Sequence, residues 1–300
     1  MLYDKINGDV AFKEKEHLYF NVKDDSIKYI SVTTLIEKYG QPFDSEFVST
    51  YKALEKLLPP EVWKKEKGII WKAHKIPKGF FDVYNINQKQ LKAVQQEILD
   101  EWQRINKEAC EKGTRIHAEL ENSMYQAGDN VKLDKYGIGG KFQCKKNYNT
   151  LDLEYGVYPE YLIYYDNPKL NLHLAGQIDL LIKDGNTFSI GDYKSNREIK
   201  TKGFFNSSTR TTTKMKYPLN NLDECNLSHY YLQLSTYAWM IQKLRPDLEL
   251  KYLKIIHFGD KGETIYDVPY LKNEVERMLK HYAKTQTIEK QKSKYERIEY

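Results

Sequence analysis

Residues 176–196 read GQIDLLIKDGNTFSIGDYKSN, and they decide how the middle of the chain folds. Apolar and polar residues alternate on both sides of Asp184-Gly185, a dipeptide typical of the two-residue loop of a β-hairpin. The pattern predicts two antiparallel strands over about 171–183 and 187–194.

Three charged residues of this hairpin, Asp179, Asp192 and Lys194, are predicted to share one face. With Asp184-Gly185 as the loop, the two aspartates are diagonal neighbours, and with Gly185-Asn186 they face each other directly. Both registers keep the three side chains together, because alternate residues of a strand point the same way. Opposite or diagonal partners have Cβ atoms roughly 4.5–8 Å apart.

Two carboxylates this close repel each other unless a cation lies between them. An all-oxygen site of this kind suits Mg²⁺ or Mn²⁺. A neighbouring lysine can then orient or deprotonate a water molecule, or neutralise a phosphate oxygen. The hairpin alone supports phosphodiester hydrolysis and an ordinary solvated surface about equally.

Composition indicates a globular protein without membrane-spanning or secretory segments. The chain has 300 residues, of which 40% are hydrophobic and 30% charged. No apolar run approaches the ~20 residues that a spanning helix needs, and the N-terminus lacks the apolar core of a secretory signal. The three cysteines form no CxxC pair, which argues against a disulfide framework or a zinc site and fits a reducing cytoplasm. They are Cys110, Cys144 and Cys225.

The net charge of +5 permits a polyanionic partner. Residues 196–216 hold six Lys or Arg against one Glu, together with Phe204-Phe205. This composition predicts a mobile basic loop suited to contacts with a nucleic-acid backbone and to base stacking, and an ordinary solvated linker is the alternative. Arg197, Lys200 and Lys202 are the candidates nearest the hairpin.

The other segments alternate between helical and extended patterns. We expect a hairpin turning on Asp24-Asp25, then a short helix capped by Ser31, Thr33 or Thr34 and ended by Gly40. Further helices are predicted over 44–58, 89–125 (with a break or a close packing point at Gly113), 226–244 and 270–285, a partly helical insertion over 61–97, and strands over 155–165, 251–258 and 263–268, followed by a frayed charged tail. The fold class is therefore α/β or α+β, a central strand group flanked by helices with helical additions in the N-terminal half.

Three groups outside the hairpin could complete a site. His117 and Glu121 are four residues apart on one helical face, so His117 could be a metal ligand that Glu121 supports, although a lone helical histidine is more often structural. Glu160 lies one strand before Asp179 and could add a carboxylate, but alternation in EYLIYYD favours a plain surface glutamate.

Gln233 and Tyr237 form a second pair four residues apart on a predicted helix. An amide and a phenol on one face can contact a phosphate or stack on a base. Amphipathic core packing explains the same spacing equally well.

Four motifs occur in a specific order: GTRIHAELE, AGQIDLL, GDYKSN and QLSTY. This series resembles the PD-(D/E)XK nucleases, and most closely the RecB-like branch, which includes phage exonucleases and the mitochondrial genome maintenance exonuclease. The opening SVTTLI also recurs in phage members of that branch. The resemblance covers about 28–40 and 109–244 and implies a restriction-endonuclease-like core with a central mixed β-sheet.

The resemblance also implies roles for individual residues. The metal would be held by Asp179, Asp192, His117 and the backbone carbonyl of Tyr193, with Lys194 as the catalytic lysine. Gln233 and Tyr237 correspond to the QxxxY motif and are candidates for holding DNA, together with the 196–216 loop.

The chain departs from some members of that branch. It lacks the four cysteines of an iron–sulfur cluster, so no cluster is expected, and it has no GxxxxGK[ST] motif of a fused helicase motor. Residues 61–97 match no part of the pattern. We expect one nuclease domain over 1–300, with the hairpin and helical additions in 1–108, the core in 109–270, and a helix and charged tail in 271–300.

The sequence thus predicts a Mg²⁺- or Mn²⁺-dependent deoxyribonuclease. The branch implies an exonuclease acting on single-stranded or frayed DNA ends in replication, recombination or repair, with a helicase or replication or recombination proteins as further partners. It would work in the cytoplasm, or the host cytoplasm if phage-encoded, without a membrane. The alternatives are a structure-specific endonuclease on the same core, a catalytically silent DNA-binding module, and an RNA nuclease.

Overall fold

The computed structural model describes residues 4–146, 152–206, 210–260 and 262–296. The chain forms two compact units, residues 1–41 with 113–300 and residues 42–112, and the division falls within one long helix. The helices are α1 (Val32–Glu37), α2 (Ser45–Leu57), α3 (Pro60–Ala73), α4 (Phe80–Val83), α5 (Gln88–Ala127), α6 (Asn226–Leu244) and α7 (Lys272–Glu296). The predicted single domain over 1–300 stays a prediction.

The thirteen described strands all belong to the first unit, and six of them form its central sheet. They are β1 (Lys5–Asn7), β2 (Val10–Lys13), β3 (Leu18–Asn21), β4 (Ile30–Ser31), β5 (Val131–Leu133), β6 (Ile138–Phe142), β7 (Gly156–Asn167), β8 (Leu172–Asp184), β9 (Thr187–Lys194), β10 (Phe205–Asn206), β11 (Thr211–Thr212), β12 (Glu249–Gly259) and β13 (Gly262–Asp267). The central sheet has the order β13-β12-β9-β8-β4, and β7 also pairs with β8. It is mixed, since β9–β12 and β4–β8 are parallel and the other pairs are antiparallel.

The hairpin β8–β9 turns on Gly185-Asn186, since Asp184 pairs with Thr187. Gly185 has a φ of +59°, a left-handed conformation that glycine adopts without steric cost. This is the second of the two registers considered from the sequence, and it directs Asp179 toward Asp192.

The two strands of the hairpin part before either aspartate is paired. Pairing of β8 with β9 ends at Leu180 and Gly191, whereas β9 continues along β12 as far as Lys194 and His257. Further back along its length, β8 pairs with the short strand β4 instead. On this side of β8, the pairing with β9 stops at Leu180 and the pairing with β4 covers Leu174 and Ala175. Asp179 lies in the gap between these two pairings, and the sheet is therefore open beside it.

Two apolar clusters cover the two faces of the central sheet. One packs α1, α6 and α7 against it, and its fully buried members include Leu35, Leu174 and Met240. The other packs the end of α5 and the β5–β6 pair against the opposite face, around Phe142 and Leu180. A mixed sheet between helical layers confirms the predicted α/β class.

The second unit, residues 42–112, has an apolar cluster of its own around Leu54, Trp63 and Ile70. The side chain of Asp44 caps α2 by accepting from the Phe47 N–H, and Pro60 starts α3 at a position where its missing N–H costs nothing. The segment that was expected to be partly helical, 61–97, is largely helical in α3, α4 and the start of α5.

Several boundaries differ from the prediction. The predicted turn at Asp24-Asp25 is present but short, since only Phe20 and Lys28 form an antiparallel bridge across it. The longer N-terminal hairpin turns between β2 and β3, near His17, and Ser31 both joins the central sheet and caps α1. The last helix continues past 285 to Glu296, and the β5–β6 pair was not predicted at all. Gly113 does not break α5.

Close packing explains this glycine instead, since a Cβ at Gly113 would lie 3.1 Å from the Ser195 Oγ.

Within the described residues, none of the helices combines the length and the apolar character needed to cross a membrane.

Candidate metal centre

Three potential metal ligands converge where the sheet opens. His117, Glu160 and Asp179 each offer a ligand atom, and these atoms all lie within 4.8 Å of one another. The Nδ1 of His117 is 3.0 Å from Glu160 Oε1, and its Nε2 is 3.7 Å from Asp179 Oδ2 and 3.2 Å from the Tyr193 carbonyl oxygen. The donor set is one imidazole, two carboxylates and one backbone carbonyl.

Glu160 is not the plain surface glutamate that alternation favoured. Its side chain is only 14% exposed, and Gln177 donates a hydrogen bond of 3.3 Å to its second oxygen. The β7–β8 register places it opposite Asp179, between Pro159, which pairs with Leu180, and Tyr161, which pairs with Ile178. Its φ of +49° is unusual for a residue with a side chain.

The electrostatics of the cluster show a site that attracts positive charge. Burial alone would lower the pKa of His117, but the hydrogen bond to Glu160 and the charges of Asp179, Glu160 and Asp192 outweigh it and raise the pKa to about 9. Burial raises the pKa of Asp179. The positive charge of protonated His117 thus offsets the negative charge of the carboxylates. A bound divalent cation would supply this positive charge instead of the proton.

Asp192 and Lys194 form the second half of the site. Lys194 Nζ lies 2.6 Å from Asp192 Oδ2, and Gln233 of α6 donates a 3.2 Å hydrogen bond to Asp192 Oδ1. Burial raises the pKa of Asp192 to about 6, against the opposing effect of Lys194. The backbone N–H of Tyr193 donates to Asp179 Oδ2 at 2.6 Å and so joins the two halves.

Lys194 lies under an aromatic ring that sequence reasoning missed. Its ammonium is 4.8 Å from the ring centroid of Tyr230, on the first turns of α6. Burial alone would lower the pKa of Lys194, but Asp192 and Asp179 raise it. The lysine is therefore protonated in the absence of a metal, which favours orientation of water and neutralisation of a phosphate over proton abstraction.

The family model of the PD-(D/E)XK nuclease superfamily matches residues 70–299. The chain belongs to the PD-(D/E)XK nuclease superfamily. No curated protein and no solved structure matches it. Membership confirms the restriction-endonuclease-like fold and makes the protein a metal-dependent nuclease, and the cluster of His117, Glu160 and Asp179 fits a divalent cation.

The two α6 side chains that were predicted to hold DNA are buried. Gln233 and Tyr237 are 8% and 3% exposed. A Cβ on Gly176 would lie 2.6 Å from the Tyr237 ring, so the glycine of the AGQIDLL motif leaves the space that the tyrosine fills. Contact of Gln233 and Tyr237 with DNA stays a prediction, and their burial argues against it.

Glu121 lies beside the cluster but outside the trio. It accepts a 3.1 Å hydrogen bond from the Tyr125 hydroxyl, and Lys5 Nζ lies 3.9 Å from its Oε1 and 3.8 Å from Glu160 Oε2. Lys5 therefore contacts both Glu121 and the cluster. It belongs to the N-terminal sheet, and no sequence motif singles it out.

The described part of the basic segment 196–216 contains a short pair of strands and two ion pairs, and its mobility stays a prediction. The strands β10 and β11 pair within it, and Asp223 accepts a bond from the Gly203 N–H and forms an ion pair with Lys214. Arg197 pairs with Asp260 at 3.0 Å. Phe204 and Phe205 are exposed, and residues 207–209 lie outside the described part of the chain.

Proposed function

We propose that this nuclease is a Mg²⁺- or Mn²⁺-dependent deoxyribonuclease that degrades single-stranded or frayed DNA from an end. The observation that carries the proposal is the meeting of two groups where β9 leaves β8: a ligand cluster of His117, Glu160 and Asp179, and the buried pair of Asp192 and Lys194. Oxygen-rich ligand sets of this kind suit hard divalent cations.

Each residue has a distinct role in the proposed reaction. Asp179, Asp192, the Tyr193 carbonyl and the Nε2 of His117 hold the cation, and Glu160 accepts from the Nδ1–H of His117 and so fixes the ring. When bound, the cation lowers the pKa of water and stabilises negative charge on the phosphate.

Lys194 orients the attacking water and donates hydrogen bonds to a phosphate oxygen. In hydrolysis the water oxygen bonds to phosphorus as the bond from phosphorus to the leaving sugar oxygen breaks. The water gives up one proton to solvent, and the leaving oxygen takes one up. Gln233 holds Asp192 in place through its amide, so α6 keeps the second half of the site aligned with the first.

Action at DNA ends rests on the resemblance to the RecB-like branch. The motifs GTRIH, GQID, GDYK and QLSTY stand in that branch's order, as does SVTTLI near the N-terminus. By the same resemblance, the protein would act in replication, recombination or repair beside a helicase or recombination proteins, in the cytoplasm of its own or a host cell.

Cleavage of end-labelled linear and of circular single-stranded DNA tests the proposal. We expect loss of the linear strand with Mg²⁺ or Mn²⁺, no loss in EDTA, and no activity of Lys194→Ala under any condition. Cleavage of the circle would identify the endonuclease alternative. DNA binding without cleavage of either substrate would identify a silent binding module, and preferential cleavage of a matched RNA would identify an RNA nuclease.

A further inference from the structure

A basic groove lies along the last helix, at the end of the 196–216 segment. Its volume is about 750 Å³. The residues that line it include Tyr217, Asn221, Arg277, Lys280, His281 and Lys284. Within the described part of the chain, no acidic side chain lines this groove.

The positive charge of the groove is arranged along one face of α7. Arg277, Lys280 and Lys284 are spaced three and four residues apart, so their side chains project from the same side of the helix. Arg277 is already held, 2.7 Å from Asn221 Oδ1 and 3.3 Å from Glu274 Oε1. Lys280 and Lys284 are exposed, and neither has an ion pair among the side chains that the structure describes.

An exposed aromatic ring stands beside these lysines. Tyr217 is 72% exposed, and the ring of His281 packs against it edge-on, with centroids 5.4 Å apart. His281 is fixed in turn by Tyr39, whose hydroxyl lies 3.1 Å from its Nδ1 and donates to the Met278 carbonyl. The tyrosine is thus supported on one side while its remaining surface is open to a ligand.

We propose that this groove binds single-stranded DNA, with Lys280 and Lys284 on successive phosphates and a base stacked on Tyr217. Charge favours a polyanion, and the supported exposed ring favours unpaired bases, which duplex DNA does not present. The basic segment begins two residues after Lys194 and ends next to Tyr217. As the groove would hold the strand being degraded, the inference rests on the proposed deoxyribonuclease function.

Equilibrium binding in EDTA tests the groove without any cleavage. Lys280→Gln with Lys284→Gln should reduce the slope of log affinity against log salt by about 1.4, from roughly 0.7 per phosphate contact on a single strand. Lys64→Gln with Lys72→Gln, which removes the same charge from exposed positions of α3, is the matched control and should leave the slope unchanged.

A second pair of variants tests the stacking. Tyr217→Ala should weaken single-strand binding about fivefold or more, whereas Tyr217→Phe keeps the ring and the affinity. Duplex binding should change much less with Tyr217→Ala.

Equal loss in the α3 control, or equal loss of single-strand and duplex binding with Tyr217→Ala, would overturn the inference. Because binding is measured without metal, an inactive wild-type protein that still showed these differences would contradict the proposed function and leave the groove intact.

Discussion

Glu160 faces Asp179 across two paired strands, and the backbone of Glu160 adopts a φ of +49° at that point. A left-handed conformation in the middle of a strand is costly for a residue with a side chain, on the order of 1–3 kcal/mol. The side chain of the same residue lies 3.0 Å from the Nδ1 of His117, so the strained backbone and the contact with the candidate metal ligand occur at one position. The strain, the hydrogen bond and the metal cluster therefore belong to one arrangement.

The first prediction separates a direct metal ligand from a residue that orients one. His117→Ala should raise the Mn²⁺ concentration needed for half-maximal cleavage strongly, because the imidazole is assigned to the metal. Glu160→Gln, which keeps the size of the side chain, should raise it about tenfold, the lower end of what loss of an orienting partner costs. Activity measured against Mn²⁺ concentration is the readout, with DNA affinity in EDTA as the control.

Two results would change these assignments. An unaltered Mn²⁺ requirement in His117→Ala would return the histidine to a structural role. An effect of Glu160→Gln as large as that of His117→Ala would make the glutamate a direct ligand.

The second prediction concerns the buried pair. Asp192→Ala or Lys194→Ala should lower the rate of cleavage at least about a hundredfold, since each removes a group that the proposed function assigns to the metal or the reacting phosphate. Circular dichroism and DNA binding in EDTA should show that both variants stay folded. A rate near that of the wild type in either variant would place the active site elsewhere.

The sequence predicted the candidate site best where a motif combines a fixed spacing with residue types that can bind a metal. The motifs pointed to His117 and Asp179, which the structure brings together, and the 226–244 helix was predicted with the observed bounds. Glu160 was misjudged because alternation marks a solvent-exposed face only when one side of the sheet is open to water, and packed clusters cover both sides here. Lys5 and Tyr230 reach the site through tertiary contacts that no local pattern records.

The third prediction tests the fit between Gly176 and Tyr237. An added methyl group would meet the tyrosine ring at 2.6 Å, and the ring is too deeply buried to move aside freely. Gly176→Ala should therefore destabilise the protein by about 1–3 kcal/mol, the usual cost of overpacking. Urea unfolding measures this, and Gly68→Ala on α3 is the control, because its added methyl meets nothing within 4 Å. Equal stabilities of Gly176→Ala and the wild type would contradict the packing argument.

The fourth prediction is a pH dependence of stability. The pKa of Asp192 in the folded protein is about 6, above its ordinary value of 3.8, because burial disfavours the charged form. The folded state then binds this proton more tightly than the unfolded state, so the stabilisation is complete below about pH 4 and is lost as the pH rises through 6.

Asp192→Asn removes this titration while keeping the shape of the side chain. In EDTA, the stability of the wild type relative to Asp192→Asn should fall by on the order of 1–3 kcal/mol between pH 4 and 7. Mg²⁺ should oppose the fall, because the cation binds the ionised carboxylate. A difference that stays constant over this range would show that Asp192 titrates normally.

The last prediction concerns the basic segment after Lys194. Its positive side chains differ in their contacts. Arg197 and Lys214 already form ion pairs with acidic side chains, and Lys216 donates to the Lys38 carbonyl, whereas Lys200 and Lys202 are exposed and have no ion pair among the described side chains. Arg210 is exposed in the same way. Only cations that are not already neutralised should add fully to the salt dependence of DNA binding.

Replacing Lys200, Lys202 and Arg210 with Gln should therefore flatten the salt slope for single-stranded DNA by about 2, at roughly 0.7 per phosphate contact. Arg197→Gln with Lys214→Gln should flatten it less per charge removed, since each also leaves an acidic partner that repels the strand. Affinity measured over a range of salt concentrations in EDTA gives both slopes. An unchanged slope in the triple variant would show that 196–216 is only a linker, and the strand would then be held elsewhere, with the α7 groove as the first place to look.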